Sequence, residues 1–131
     1  MSLEVVRLVS EGLNNYGKAV KGSKILIMGA TFKENVKDAR NSKVEDIISE
    51  LERMGAEVIL NDPLFEEVRF EHTVKKITPL DSVKQVDAVI LAVAHKEYQK
   101  FTLQKIRAWM KQPVIVDVKG VLGKEKDVYR L

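Results

Sequence analysis

Short apolar runs alternate along this chain with stretches whose apolar residues recur every three or four positions, and that alternation predicts an α/β protein. The expected architecture has three layers: a doubly wound parallel sheet of five strands with helices on both faces, plus an N-terminal helix. Two observations carry the prediction. The runs at 25–28 and 88–93 contain no charged or polar residue, as suits strands covered on both faces. Each is followed by a polar loop and then by an amphipathic stretch, the order of a right-handed crossover.

Taken in order, Val5, Val6, Leu8, Val9, Leu13 and Tyr16 line one face of a helix that runs to about Gly17. Ile25 to Met28, closed by Gly29, form the first strand. A polar loop from Thr31 to Ser42 leads to a helix marked by Val44, Ile47, Ile48, Leu51 and Met54, with Gly55 as its cap. Glu57 to Leu60 form the second strand, stopped by Asn61-Asp62-Pro63, and Val74 to Ile77 a weaker third, stopped near Pro79. Asp81 to Val86 are expected as a short helix. The fourth strand is Ala88 to Val93, followed by a helix containing Leu103, Ile106, Trp109 and Met110, and the fifth is Val114 to Val118. The expected strand order is 3-2-1-4-5, a Rossmann-like arrangement.

The composition narrows function by exclusion. A chain of 131 residues with 45% hydrophobic and 31% charged residues suits one ordinary core and rules out a disordered tail or a fibrous repeat. There is no cysteine, so disulfides, thiolate metal sites and a cysteine nucleophile are excluded within these residues. No apolar run approaches the roughly 20 residues that cross a bilayer, and the start lacks signal-peptide order; no membrane association is expected, and a cytoplasmic location is. The net charge of +3 favours an anionic partner, but acids and bases alternate and aromatics are only 6%, so nucleic acid is not expected.

Ligands of open α/β sheets collect beyond the carboxyl ends of the strands, where strand order reverses. The residues expected there are Gly29, Thr31, Phe32, Lys33 and Arg40 after the first strand, Asn61 and Asp62 after the second, His95 and Lys96 after the fourth, and Asp117 and Lys119 after the fifth. A dinucleotide fingerprint needs three glycines after the first strand, and only Gly29 stands there; Phe32 and Lys33 take the remaining space, so NAD is not expected in its usual pose. Lys33 offers instead a point charge suited to phosphate or carboxylate, or else is a solvated loop lysine. Asp62 is expected to make a turn. Asp38 and Arg40 are expected to brace their loop as an ion pair, and Asn41 or Ser42 to accept the first amides of the next helix. His95, at the mouth of the cleft, is read as a helix-start or hydrogen-bonding residue, and His72 as a surface residue. The two histidines give no metal spacing.

With those residues in place, the chain resembles the C-terminal, nucleotide-sugar-binding domain of the UDP-glucose/GDP-mannose dehydrogenase family, over nearly its whole length. The resemblance is carried by Gly29, Phe32, Lys33, Asp38, Arg40 and Ser42, which match the pattern G-x-x-F-K-x-x-x-x-D-x-R-x-S. Asp62-Pro63, the strand from Ala88 to His95 and the stretch Val116 to Leu122 follow in the family's order. The triplet Arg40-Asn41-Ser42 is similar to members that oxidise UDP-N-acetylated hexosamines.

The resemblance implies an NAD-dependent oxidation of a UDP-sugar C6 alcohol to the carboxylate, with NAD bound and the cysteine supplied by N-terminal and central domains that are not in these residues. It implies that residues 1–22 are the end of a connecting helix and residues 23–131 the UDP-binding domain, excised from a longer protein that is a homo-oligomer, and inactive alone. It assigns nucleotide-sugar contacts to Phe32, Lys33 and, more distantly, Lys119; it assigns no catalytic residue and no cofactor to this fragment. Two other readings of the residues are a receiver-like signalling module and a stand-alone nucleotide-binding domain. The first lacks an acidic pair at the end of the first strand, and the second lacks the glycines.

Overall fold

The computed structural model of the chain describes residues 2–31, 33, 38–40, 42–123 and 125–131. Its main sheet has five parallel strands: β1 (Lys24–Met28), β2 (Glu57–Asn61), β5 (Ala88–Leu91), β6 (Ile115–Asp117) and β7 (Val128–Arg130), in the order β2-β1-β5-β6-β7. Ile25 sits beside Val58 on one side and Ala88 on the other, and Val89 beside Ile115. Alternate residues of these apolar strands divide between two cores, as the pleat requires. Ile25, Ile27, Ala88, Ile90, Val114 and Val116 face helices α1 (Ser2–Asn14) and α2 (Val44–Arg53), whose buried stripes include Val5, Val9, Leu13, Ile47 and Leu51. Leu26, Met28, Val89, Leu91 and Ile115 face the other way, against Ile106 of α3 (Leu103–Arg107) and Tyr98. The three-layer α/β expectation and the helix-facing pattern therefore hold.

The edge of the sheet differs from the expected order. The strand expected third, observed as β4 (Val74–Lys76), is not in the main sheet; it pairs antiparallel with β3 (Glu67–Arg69) in a separate hairpin. Its sequence explains this: Lys75 and Lys76 leave it too polar for a two-sided position, and Val74 is exposed. It reaches β2 only as it leaves the hairpin, where the Thr78 amide donates to Leu60 O at 2.8 Å. β7 takes the fifth place, at the opposite edge. The inner order of the strands expected as 2-1-4-5 is the observed β2-β1-β5-β6.

The short helix expected at 81–86 is a single 3-10 turn over Leu80–Ser82; Gln85, at φ 59°, is incompatible with helix, and Val86 bridges to Met110 instead. That bridge also ends α3 short of Met110. The apolar face of α1 belongs to the same core as one face of the sheet.

Candidate functional site

β1 lies between β2 and β5, so chain order reverses beside its carboxyl end. Two adjacent residues at the end of β2 span that point. Asn61 donates from Nδ2 to Thr78 O at 2.8 Å, and the Tyr98 hydroxyl lies 2.7 Å from Asn61 Oδ1 and 2.9 Å from Asn61 O. Asp62 accepts from the Leu64 amide at Oδ1 (2.8 Å) and from the Ala30 amide at Oδ2 (2.8 Å), and Oδ2 also lies 3.0 Å from His95 Nε2. Both side chains of that last pair are completely buried. A carboxylate only accepts, so the Nε2 that faces it carries the hydrogen.

The arrangement follows from local structure. β2 turns at Asp62-Pro63, with the aspartate closing its own turn onto Leu64, and a 3-10 turn over Lys96–Tyr98 carries His95 and Tyr98. Their rings stand 5.6 Å apart. Burial pushes the Tyr98 phenol well above its ordinary range, and the carboxylates of Asp62 and Glu97 push it further. The segment after β5 can approach because Gly29, at φ +112°, has no side chain; a Cβ there would run into Val93.

The loop after β1 is fixed from both sides. The Ala30 amide is held by Asp62, and the Ala30 carbonyl accepts from Ser42 Oγ at 2.6 Å. Ser42 Oγ in turn accepts from the Val44 amide at 3.1 Å, so the expectation that it serves the start of α2 holds. Thr31 Oγ1 accepts from the Lys33 amide at 3.0 Å and donates to Lys33 O at 2.9 Å. Lys33 is exposed on this loop. Asp38 and Arg40 form the expected pair, 3.0 Å apart on the surface, and the guanidinium holds the Asp38 carboxyl below its usual range. Phe32 and Asn41 lie outside the described residues.

After β6, the buried Asp117 accepts from the amides of Gly120 (2.9 Å) and Leu122 (2.8 Å), shaping the loop that exposes Lys119. Arg130, at the end of β7, donates from Nη2 to Gly120 O at 2.7 Å. A cleft of about 310 Å³ opens between the segments after β5 and β6, against Leu91, His95, Tyr98, Phe101 and Leu122.

The carboxyl edge thus carries the exposed Lys33, Lys96, Lys119 and Arg130 and the Asp38–Arg40 pair, while Asp62 and Asp117 are buried and committed to N–H donors. At the amino edge the buried Asp87 and Asp127 each meet a side-chain cation, Lys18 at 2.8 Å and Arg107 at 2.5 Å.

The first amides after β1 already have acceptors within the chain. The Gly29 amide is taken by Asn61 O at 2.8 Å and the Ala30 amide by Asp62, and among the described residues the next helix is α2. Among the described residues, no group of three or more His, Cys, Asp and Glu side chains could hold a metal.

The UDP binding domain of the UDP-glucose/GDP-mannose dehydrogenase family matches residues 26–124. The chain belongs to this family. It is 37% identical over 129 residues to the UDP-N-acetyl-D-glucosamine 6-dehydrogenase of Salmonella typhi, an alignment covering 95% of this chain and 28% of that protein. It is 39% identical over 117 residues to the enzyme of the same name from Pseudomonas aeruginosa, covering 86% of this chain and 27% of the relative. The fold superposes on the UDP-D-ManNAc dehydrogenase of Pyrococcus horikoshii with a TM-score of 0.79 at 22% identity, over 99% of this chain and 30% of that one. The chain therefore spans less than a third of these family members, and it corresponds to their UDP-binding part. The matched span contains both edge lysines.

Sequence reading missed two features of the site. One is which residue His95, expected as a helix-start or hydrogen-bonding residue, bonds to: Asp62, 33 residues away. Arg130 escaped notice because the strand that delivers it was not anticipated.

Proposed function

We propose that this chain is the UDP-sugar-binding C-terminal part of an NAD-dependent nucleotide-sugar 6-dehydrogenase, which converts a C6 alcohol to a carboxylate in the cytoplasm. In this reading the diphosphate lies over the loop after β1, with the Lys33 ammonium facing it, the Phe32 ring packed near the ligand and Lys119 adding charge from the loop after β6. The observation that carries the proposal is the family match, which runs through both lysines and the strand ends that present them. The relatives' names and the Arg40-Asn41-Ser42 triplet favour a UDP-N-acetylhexosamine as the sugar. NAD, the cysteine nucleophile and the hydride-transfer site belong to the rest of the protein in this reading, which is supported by a sequence without cysteine and by Gly29 and Ala30 amides that are already taken. Residues 1–22 then continue into a connecting region, and the complete protein is a homo-oligomer.

Calorimetric titration of UDP into the chain and into Lys33→Ala tests the proposal. A hydrogen bond from an ammonium to phosphate contributes about 1.5–3 kcal/mol, and an exposed one sits at the low end, so the variant is expected to lose roughly tenfold in affinity. Equal affinities remove Lys33 from the site.

A further inference from the structure

We propose that the buried Asp62–His95 pair is a positioning device for nucleotide binding: it fixes the Ala30 peptide, and through it the direction in which the loop after β1 presents Lys33. The inference rests on the reading of Lys33 given above and assigns the pair a task within that site.

Several observations converge on the Ala30 peptide. The β1–β2 ladder ends with Met28 beside Asn61, and the bond from the Gly29 amide to Asn61 O completes it. The Asp62 carboxylate acts one residue further on, where no ladder partner remains for the Ala30 amide. An unheld peptide there could rotate, and Thr31 and Lys33 would turn with it. Instead Ala30 is gripped at both ends, its N–H by Asp62 and its C=O by Ser42, and the Thr31 hydroxyl ties the next turn to Lys33. An unbroken series of hydrogen bonds and peptide links thus runs from His95 through Asp62, Ala30 and Thr31 to Lys33.

The choice of residues at the base of this series also calls for a reason. A buried acid and imidazole are costly to desolvate, and apolar residues of similar size commonly serve stability as well or better. Asp62 recovers that cost only because each of its oxygens finds a donor: Leu64 on one, Ala30 and His95 on the other. An apolar pair would fill the space but could not aim the Ala30 amide. Fixing the direction of the Lys33 segment before the ligand arrives removes an ordering cost that would otherwise weaken binding.

The test compares two ligands, UDP and uridine, because the device acts on the phosphate side alone. Asp62→Asn keeps the shape but turns an N–H towards one of the donors. It is expected to lose UDP affinity by roughly the same tenfold as Lys33→Ala, while uridine affinity stays within about twofold. Combining Asp62→Asn with Lys33→Ala should weaken UDP binding no further than Lys33→Ala alone, and exchange of the Ala30 and Lys33 amides should quicken while those of Ile27 and Ile90 stay protected. His95→Leu, which deprives Oδ2 of a donor, is expected to follow Asp62→Asn. If Asp62→Asn does not fold, Ser42→Ala frees the other end of the same peptide and is read with the same two ligands. Wild-type UDP affinity in the Asp62 or Ser42 variant, or a parallel loss of uridine, overturns the inference alone. Wild-type affinity in His95→Leu removes the histidine from the device. A wild-type chain that does not bind UDP, or an unaffected Lys33→Ala, overturns the reading of Lys33 and this inference with it.

Discussion

Replacing Tyr98 by phenylalanine removes one hydroxyl from the buried network and is expected to change stability in a manner that reverses sign with pH. At neutral pH the Tyr98 hydroxyl serves Asn61, at 2.7 Å from its side-chain oxygen and 2.9 Å from its carbonyl. The carbonyl keeps the Gly29 amide when the hydroxyl is gone, whereas Asn61 Oδ1 loses this donor. One buried acceptor left short costs about 1–2 kcal/mol, below the full penalty because only one of the two oxygens is stranded. Unfolding entropy of roughly 2.1 cal/mol/K per residue over this chain length makes that a drop of about 4–7 °C in Tm.

The alkaline side follows from the burial that pushes the Tyr98 phenol above its ordinary range. A group raised in the folded state contributes fully below its unfolded pKa, about 10 for tyrosine, and that contribution fades as pH rises beyond it. The wild type should therefore lose about 1.4 kcal/mol per pH unit above pH 10 that Tyr98→Phe does not lose, and the two stabilities should cross near pH 11. Urea unfolding followed by the fluorescence of Trp109, the single tryptophan, measures both quantities at pH 7, 10 and 11. Tyr129→Phe is the control: its oxygen accepts from Asn15 at an exposed position, and the change should stay within about 0.5 kcal/mol. A constant difference between wild type and Tyr98→Phe from pH 7 to 11 would refute the argument, since the phenol would then ionise as readily folded as unfolded.

Two further predictions concern the amino edge and the packing of the opening helix. The Arg107 guanidinium holds the Asp127 carboxyl below its usual range, a stabilisation present above about pH 4 and lost as pH falls through the folded value. Arg107→Met should therefore be less stable at pH 7, and the difference from the wild type should shrink as pH falls from about 4 through the folded value of Asp127. Gly12 lies inside α1, where a Cβ would stand 2.5 Å from Val114 Cγ1 and 3.0 Å from Tyr129 Cε1. Gly12→Ala should cost about 1–2 kcal/mol, because overpacking outweighs the gain in helix propensity; a denaturant midpoint at or above wild type would show that Val114 can yield.

The central sheet was legible because its strands are buried on both faces, which forces uninterrupted apolar runs such as Ile25 to Met28 and Ala88 to Val93. Edge elements carry no such compulsion. β7 is Val128-Tyr129-Arg130, three residues behind a charged stretch, and nothing local separates it from a loop; β4 has a similar look and went to a hairpin. At the site, the Asp38–Arg40 pair and the service of Ser42 to α2 were readable because both act within a few residues. The Asp62–His95 pair is a tertiary contact. Its one signal in the sequence was that the strands carrying the two residues were expected on either side of the first strand, so their polar ends had to meet across Gly29 and Ala30.

The two ends of the sheet use their buried carboxylates differently in this chain of net charge +3. Acids occur at both ends of the sheet, so composition alone predicts no asymmetry. At the amino end, Asp87 and Asp127 face side-chain cations, and each pair nearly cancels in the surrounding field. At the carboxyl end, Asp62 and Asp117 turn inward to backbone amides, in the turns that shape the loops after β2 and β6. Those contacts use backbone donors rather than a lysine or arginine, and the loops they shape carry Lys33 and Lys119 at the exposed surface. One kind of residue thus does two tasks at this edge, ordering the backbone and withdrawing negative charge from the surface.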